Sequence, residues 1–591
     1  MNVVPKQLQT NFNNIQNMIQ QAKDDGSDMV IFPELCISGY LLGDLWYSED
    51  FIKQCDAYNK TITKLADGII IIWGNVTYLE SLDKKGHDGR PAVYNCGFVA
   101  QDRQMVKREN DGVIPYIKHL LPNYRIFDDA RYFTSGMTFD QSNMFSPFIV
   151  KIAQKEVRIG LEICEDLWSE HYDVDPTKVW ASASIDLLVN ISSSPWTKNK
   201  EKSRLKHIQQ KAVEHAIPLF VYVNVAGMQN TGKNIVLFDG GSMCVDQDGL
   251  IVAHCEKVFE QQIMSFDSDQ TETLQPKTIQ LLDALIAAIR EFDQQMFQKQ
   301  TTWLIGLSGG IDSSVSAALL VLALGPDRVI GVNMPSKYNK QITIDNARHT
   351  AQNLKIRYVE HSIEHMVAAT IQTAGIIEDD PTSQLLIENV HARVRGQLLS
   401  TLAAKYNGVI VNNGNKVETA LGYCTLYGDT IGALAPLGDC TKTQIFELAR
   451  NINSMFRQEI IPNNLIPTED EKGLHFEFMP SAELREDQVD PMKWGYHDRL
   501  VEMYTEYPSY GWDDLIKRYQ DKTIWDHPIA KWLTIYHLDS YEKFIEDLRW
   551  VDRMIQLSVF KRIQMPPIVL VSRGAFGTDF RENQGFFPIK G

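Results

Sequence analysis

The chain has 591 residues, too many for one ordinary core, so two or more domains are expected. Its 44% apolar and 23% charged content suits a globular protein, and neither a long apolar run nor a basic-then-apolar leader appears, which argues against a membrane span or a secretion signal. A net charge of −17 disfavours long polyanions such as DNA, and eight scattered cysteines without a C-x-x-C pair argue against zinc and disulfides and for a reducing cytoplasm.

In chain order, FNNIQNMIQQAKDDG reads as a helix, followed by β runs at MVIFPEL (29–35), GIIIIWGNV (68–76), FSPFIVKI (145–152) and IDLLVNIS (185–192). KSRLKHIQQKAVEHA has apolar residues at helical spacing, and LFVYVNVAG (219–227) and residues 235–238 add strands. The polar stretch SFDSDQTETLQPKT (265–278) marks a boundary, giving expected domains at 1–265 and 266–591. Beyond it lie a helix at IQLLDALIAAIREF, a strand at TTWLIGL, a glycine loop, a helix at SSVSAALLVLALG and a strand at VIGVNMPS. That βαβ order predicts a parallel sheet covered on both faces. The aromatic, charged tail from about 480 gives no clear elements, and the acidic start of TEDEKGLHFEF (468–478) suggests a solvated loop.

The loop LSGGIDSS comprises Leu307, Ser308, Gly309, Gly310, Ile311, Asp312, Ser313 and Ser314. Between a strand and a helix it offers backbone N–H groups to an anion. It fails the Walker pattern, because Ile311 and Asp312 stand where Gly-Lys would be needed. A loop without the lysine that reaches transferred phosphates suits pyrophosphate as a leaving group, when a carboxylate attacks the α-phosphorus of ATP. Asp312 would then hold Mg²⁺ against that pyrophosphate.

S-G-G-x-D-S resembles the signature of the ATP-pyrophosphatase family. The segments MPSKY (334–338), IENVHARVRG (387–396), NNGNKVETALGYCTLYGD (412–429), PSAELREDQ (480–488) and FKRIQMPP (560–567) extend the resemblance to the synthetase domain of glutamine-dependent NAD synthetases. It implies a Rossmann-like parallel sheet of the ATP-pyrophosphatase type, which adenylates the nicotinate carboxylate of deamido-NAD before ammonia displaces AMP. Carried over by position, Asn389, Glu418, Tyr423, Cys424, Thr425, Leu426 and Lys561 would contact deamido-NAD, and Asn413 would contact ATP. Glu418 is open between deamido-NAD and magnesium, which makes Asp312 and Glu418 the metal candidates. The family usually has threonine where this chain has Asn413.

In the first half, FPELCISGY (32–40), KHLLPNYRIFDDARYF (118–133) and GLEICEDLW (160–168) resemble the Glu-Lys-Cys triad of the nitrilase superfamily, in its glutaminase branch. The resemblance implies an αββα sandwich with Glu34, Lys118 and Cys164 as catalytic residues, and an α/β fold class for the whole chain. The chemistry explains the residue types: a thiolate attacks the amide carbon, a carboxylate takes and returns the proton, and an ammonium stabilises the oxyanion. Taken alone, Cys164 would read as a small buried hydrophobe and Lys118 as a solvated charge.

Tyr124 resembles the tyrosine that packs on substrate glutamine. NISSSPWTKNKEKSR (190–204) resembles a glutamine-recognition segment, with Ser194, uncertain by one position among three serines, and Arg204 as candidates. Arginine can pair bidentately with the α-carboxylate of free glutamine. Glu165 is expected to orient the lysine or the nucleophile. The start MNVVPKQ offers little of the usual apolar first strand.

Both resemblances together imply a cytoplasmic carbon–nitrogen ligase converting ATP, deamido-NAD, glutamine and water to AMP, pyrophosphate, NAD⁺ and glutamate. They also imply a homo-oligomer and a shielded route for neutral ammonia, so that labelled ammonium in solution would not mix freely into product. The alternatives are an ammonia-dependent synthetase with an idle glutaminase domain and a non-catalytic nucleotide sensor. An amidotransferase making GMP is disfavoured, since its usual glutaminase is of another family.

Overall fold

A computed structural model of the chain describes residues 1–78, 85–86, 89–110, 115–266, 278–298, 300–377, 380–470, 472–485, 488–507 and 511–587. The polar stretch expected to separate the domains lies mostly outside the described residues. By contact density the chain forms two compact units, Met1–Thr231 with Val236–Gln280, and Gly232–Ile235 with Leu281–Gly591.

The first unit is a sandwich of two sheets with helices outside. Strands β1 (Met29–Ile31), β2 (Ile70–Tyr78) and β3 (Val93–Gln101) lead one sheet, whose outer face carries the helix Glu49–Thr63. The other sheet is six-stranded and has β4 (Lys155–Ile163), β5 (Leu187–Ser192) and β6 (Leu219–Asn224) parallel at its centre. The sheets approach closely at Gly97, where a Cβ would sit 2.5 Å from Leu161 Cδ2 and 3.4 Å from Ile191 Cδ1. β3 was not foreseen from the sequence. Its residues are buried on both faces up to Gln101, so VYNCGFVAQ lacks the alternation that marks a half-exposed strand.

The strand expected over 29–35 ends at Ile31. Pro33 has no N–H for a ladder, and Leu35 turns the chain in the left-handed region (φ 50°), so Glu34 stands just past the strand end. At the start of the chain, Asn2 forms an isolated parallel bridge to Ala226 in place of a full strand, and the first helix opens at Leu8.

The second unit is built on a four-stranded, wholly parallel sheet of β7 (Thr302–Gly306), β8 (Val329–Asn333), β9 (Arg357–Glu360) and β10 (Gly408–Val411). Its spatial order is β9-β8-β7-β10. The chain therefore winds outward from β7 on one side and returns to its other side. The crevice beyond the carboxyl ends of β7 and β10 is the switch point where such sheets bind ligands. The helix α1 (Ile311–Leu324) leaves β7 through the glycine loop, with Ile311 and Ser313–Leu320 buried between sheet and neighbouring helices.

The tail resolves into helices Tyr496–Glu506, Trp512–Gln520, Ala530–Ile535, Tyr541–Leu557 and Val559–Gln564. Its aromatic residues, among them Trp494, Trp512, Trp532 and Phe544, form a core cluster, so the richness that blurred the sequence reading is core packing. The stretch 468–478 carries a short antiparallel pair, Thr468–Asp470 with Gly473–His475, in place of the plain loop expected. Among the described residues no helix is long and apolar enough to cross a membrane.

Candidate functional site

In the first unit three chain turns bring Glu34, Lys118 and Cys164 together, each just after a strand. Glu34 and Lys118 are fully buried, and Cys164 is 8% exposed. Lys118 Nζ donates to Glu34 Oε1 at 2.8 Å and to Asp129 Oδ2 at 2.7 Å. Glu34 Oε1 also accepts from Asn95 Nδ2 at 2.8 Å, and its Oε2 accepts from the Ser193 N–H at 2.7 Å. The Tyr40 hydroxyl donates to the other oxygen of Asp129. Burial pulls the Lys118 ammonium down, but the Asp129 and Glu34 carboxylates outweigh it and hold it well above the usual lysine range.

Cys164 opens a one-turn helix, Cys164–Leu167, in a left-handed conformation (φ 47°) that side chains seldom adopt. Such strain is kept only where the surroundings over-determine it. One residue doing so is Asp166, which accepts from the Ile163 N–H (3.0 Å), the His119 N–H (3.1 Å), the Leu120 N–H (2.8 Å) and the Tyr116 hydroxyl (3.0 Å). A single buried carboxylate thus ties the cysteine turn to the lysine segment. Burial, then the Glu34 carboxylate, pushes the Cys164 thiol far up, partly countered by Lys118. A thiol held that high needs a base to become a nucleophile, and Glu34 is the carboxylate that acts on it most strongly.

Glu165 does not contact Lys118 directly: it accepts from the Tyr124 hydroxyl at 3.1 and 3.2 Å and from the Tyr172 hydroxyl at 3.1 Å. The residue that orients the lysine is Asp129, present in the quoted FDDARYF but given no role from sequence. Of the three serines, Ser193 binds Glu34 twice, by its N–H and by Oγ to the Glu34 carbonyl (2.9 Å). Ser194 donates its N–H to Asn224 Oδ1 at 2.8 Å.

Arg204 is placed otherwise than expected. It is 1% exposed, and both guanidinium nitrogens of its fork face the carboxylate of Asp239, with Nη1 to Oδ1 at 3.1 Å. The fork reserved for a substrate carboxylate is engaged inside the protein. Four residues earlier, Lys200 has its ammonium 3.7 Å above the Trp168 ring, close enough to Cys164 and Glu165 to feel their titration. Lys200 stood in the recognition segment but was passed over, because the Arg204–Asp239 pair spans distant sequence.

In the second unit a cavity of ≈540 Å³ opens at the switch point. Leu307, Ser308, Gly310, Ile311, Asp312 and Ser313 of the glycine loop line it, with Asn389, Asn413, Glu418, Tyr423, Cys424, Thr425 and Lys561. Gly309, Ser314 and Leu426 do not line it. Gly309 instead holds a φ of 87° with its missing Cβ 1.8 Å from the Thr343 carbonyl oxygen, so no other residue fits there. Ser314 Oγ donates to the Gly310 carbonyl at 3.0 Å, and the Leu426 carbonyl accepts from Arg393 Nε at 3.3 Å.

Around the loop, Lys442 pairs with Asp312 and lies 3.8 Å from Glu418 Oε1. Burial and the Asp312 carboxylate push Glu418 up to about 8. Oδ1 of Asp312 and of Asn413 are buried without a hydrogen-bond partner among the described residues, while Asn413 Nδ2 donates to the Gly306 carbonyl at 3.0 Å. Asn389 Oδ1 accepts from Thr425 Oγ1 at 2.9 Å, and Lys561 Nζ bridges the Gly422 and Cys424 carbonyls at 2.7 Å each. Lys442 had no role in the sequence reading, since nothing local in CTKTQ marks it.

Among the described residues no group of three or more His, Cys, Asp or Glu side chains gathers as a metal site. A magnesium ion that travels with a nucleotide needs only one or two carboxylates beside the phosphates. Asp312, with Oδ1 buried and unpartnered among the described residues, and Glu418, close enough to feel its charge, fit that need.

The carbon-nitrogen hydrolase family matches residues 1–275, and the NAD synthase family matches residues 284–518. A glutamine-dependent NAD(+) synthetase of Synechocystis is 31% identical over 96% of this chain and 94% of its own length. The chain belongs to the glutamine-dependent NAD(+) synthetase family. A second member, from Thermotoga maritima, is 29% identical over 95% of this chain and 93% of its own. The solved structure of the glutamine-dependent NAD⁺ synthetase of Acinetobacter baumannii, in complex with ADP, aligns with a TM-score of 0.67 and 26% identity, covering 100% of this chain and 97% of that one. The expected classes, a nitrilase-like sandwich and a parallel NAD synthetase sheet, both hold within this family.

Proposed function

We propose that the chain makes NAD⁺ by ATP-dependent amidation of deamido-NAD⁺, with nitrogen from glutamine. The observation that carries this reading is the convergence of Glu34, Lys118 and Cys164 on the same chain as a lysine-less phosphate loop with Asp312 at its mouth. The glutaminase is assigned to residues 1–265 and the synthetase to 266–591. The experiment is product analysis: ATP, deamido-NAD⁺ and glutamine together must yield NAD⁺, AMP, pyrophosphate and glutamate, and the absence of AMP would refute it.

Glu34 takes the Cys164 proton as sulfur attacks the side-chain amide carbon of glutamine. Lys118, fixed between two carboxylates, stabilises the oxyanion as a preset charge. Glu34 returns the proton to departing ammonia, then activates the water that cleaves the thioester to glutamate. In the second unit, loop N–H groups hold the β- and γ-phosphates while the nicotinate carboxylate displaces pyrophosphate from the α-phosphorus. Ammonia then attacks the acyl adenylate and releases AMP. Asp312 and Glu418 would hold Mg²⁺, which neutralises phosphate charge when bound. Lys442 supplies a second positive charge at the same place. A homo-oligomer in the cytoplasm remains part of the proposal.

Free glutamine carries an ammonium and a carboxylate, and the charged side chains near Cys164 offer a match for each. Lys200 replaces Arg204 as the partner of the substrate carboxylate, Glu165 takes its ammonium, and Tyr124 and Ser194 border it. Glu165 is raised to about 7, first by burial, while Lys118 and the Tyr172 and Tyr124 hydroxyls pull it down and Asp129 pushes it up. Lys200 is lowered to about 8, first by burial and then by Arg204. Below about 7 Glu165 gains a proton, and above about 8 Lys200 loses one. The KM for glutamine is therefore expected to be lowest between those values and to rise on either side. In Glu165→Gln the acid-side rise should vanish and KM stay high throughout; an unchanged profile would remove Glu165 from glutamine recognition.

A further inference from the structure

We propose that Glu483 is a ribose reader: its Oε1 accepts a hydrogen bond from a sugar hydroxyl of ATP and ties nucleotide recognition to the phosphate loop. The inference rests on the ATP-dependent reading above and assigns a further residue to it.

Glu483 lines the cavity but is only 6% exposed. Its backbone is held in the left-handed region (φ 46°), a conformation that glutamate adopts only under constraint. Oε2 supplies the constraint, accepting from Asn339 Nδ2 at 2.8 Å and Thr343 Oγ1 at 2.9 Å. Oε1 has no hydrogen-bond partner among the described residues. A buried carboxylate oxygen stripped of water is costly unless a donor arrives, so a ligand donor is the expected occupant.

An ionised carboxylate only accepts, which excludes phosphate oxygens as partners. Three donors remain in this chemistry: a ribose hydroxyl, the adenine amine and a hydrated cation. A cation is disfavoured, because the positive Arg395 acts on Glu483 and binds the same Asn339, with Nη2 to Oδ1 at 3.0 Å. Position separates the other two. Thr343, which Glu483 grips, is the residue whose carbonyl packs against Gly309 of the phosphate loop. In a nucleotide whose phosphates lie on that loop, the group next to the phosphates is the sugar, not the base. Carboxylate-to-ribose bonding is also how parallel sheets of this kind commonly recognise nucleotides.

The test compares kcat/KM for ATP, 2′-deoxy-ATP and 3′-deoxy-ATP, with ammonium as nitrogen source, in the wild type, Glu483→Gln and Glu483→Ala. The wild type should prefer ATP over one deoxy analogue by at least ~10-fold, because a site built for a hydroxyl rejects the analogue lacking it. In Glu483→Ala the ratio should fall to within about threefold, through loss on ATP and not gain on the analogue. Glu483→Gln guards against misfolding: its amide oxygen can serve Asn339 and Thr343 while the charge at Oε1 is lost, so its ratio should lie between. A wild type indifferent to both analogues, or variants that keep the full ratio, would overturn the proposal. So would an unchanged ratio with a shifted Mg²⁺ half-saturation, which would mark a cation site. A wild type that forms no AMP would instead sink the broader reading, before the ratio could be measured.

Discussion

Replacing Cys164 by alanine is expected to lower glutamine-driven NAD⁺ formation by at least roughly 10³-fold while leaving ammonium-driven formation within about twofold of wild type. The Cys164 thiol forms the thioester in this reading, while Lys118 is held between Glu34 and Asp129, and Glu34 is oriented by Lys118, Asn95 and Ser193. Removing the nucleophile leaves that network whole, so the loss should fall on chemistry and not on folding. The synthetase reaction uses none of these groups and should run on added ammonium. The same variant decides between the two readings of the first unit, since an idle glutaminase would make wild type and variant alike.

Asp312→Asn should lower both glutamine- and ammonium-driven synthesis by roughly 10²–10⁴-fold and leave glutaminase turnover of the first unit far less affected. The substitution keeps the shape of the side chain and removes its charge where pyrophosphate charge must be managed. Lys442 would lose its ion-pair partner and keep Glu418, 3.8 Å away, with Asp490 also acting on it. Losing the Asp312 charge would also ease Glu418 toward ionisation, the form that binds a metal, so the loss of activity is expected from the missing Asp312 carboxylate itself. Measuring AMP release with each nitrogen source checks the prediction; equal rates in variant and wild type would remove Asp312 from the reaction.

Much of both sites was legible because the motifs are local. LSGGIDSS is contiguous, and its strand–loop–helix frame follows from an apolar run entering a helix-spaced one. Glu34, Lys118 and Cys164 each stand beside an apolar segment that the sequence displays openly. What was not legible is what these residues lean on. Asp129, Asn95 and Ser193 converge on the lysine and glutamate from separate elements, and Lys442 reaches Asp312 across 130 positions. Arg204 shows the cost of reading a cation without its counter-ion: Asp239, 35 residues later, takes its fork. β3 and the aromatic tail hid for a related reason, since burial on all sides erases the periodicity that announces an element.

The central claim is that the acid of deamido-NAD⁺ attacks the α-phosphorus of ATP. Deamido-NAD⁺ carrying ¹⁸O in both oxygens of its nicotinate carboxylate tests it most directly, with ATP and ammonium supplied and the phosphate products weighed by mass spectrometry. The account predicts one heavy oxygen in AMP for each NAD⁺ formed, with pyrophosphate unlabelled. Heavy oxygen in orthophosphate accompanied by ADP, or AMP free of label, would contradict it.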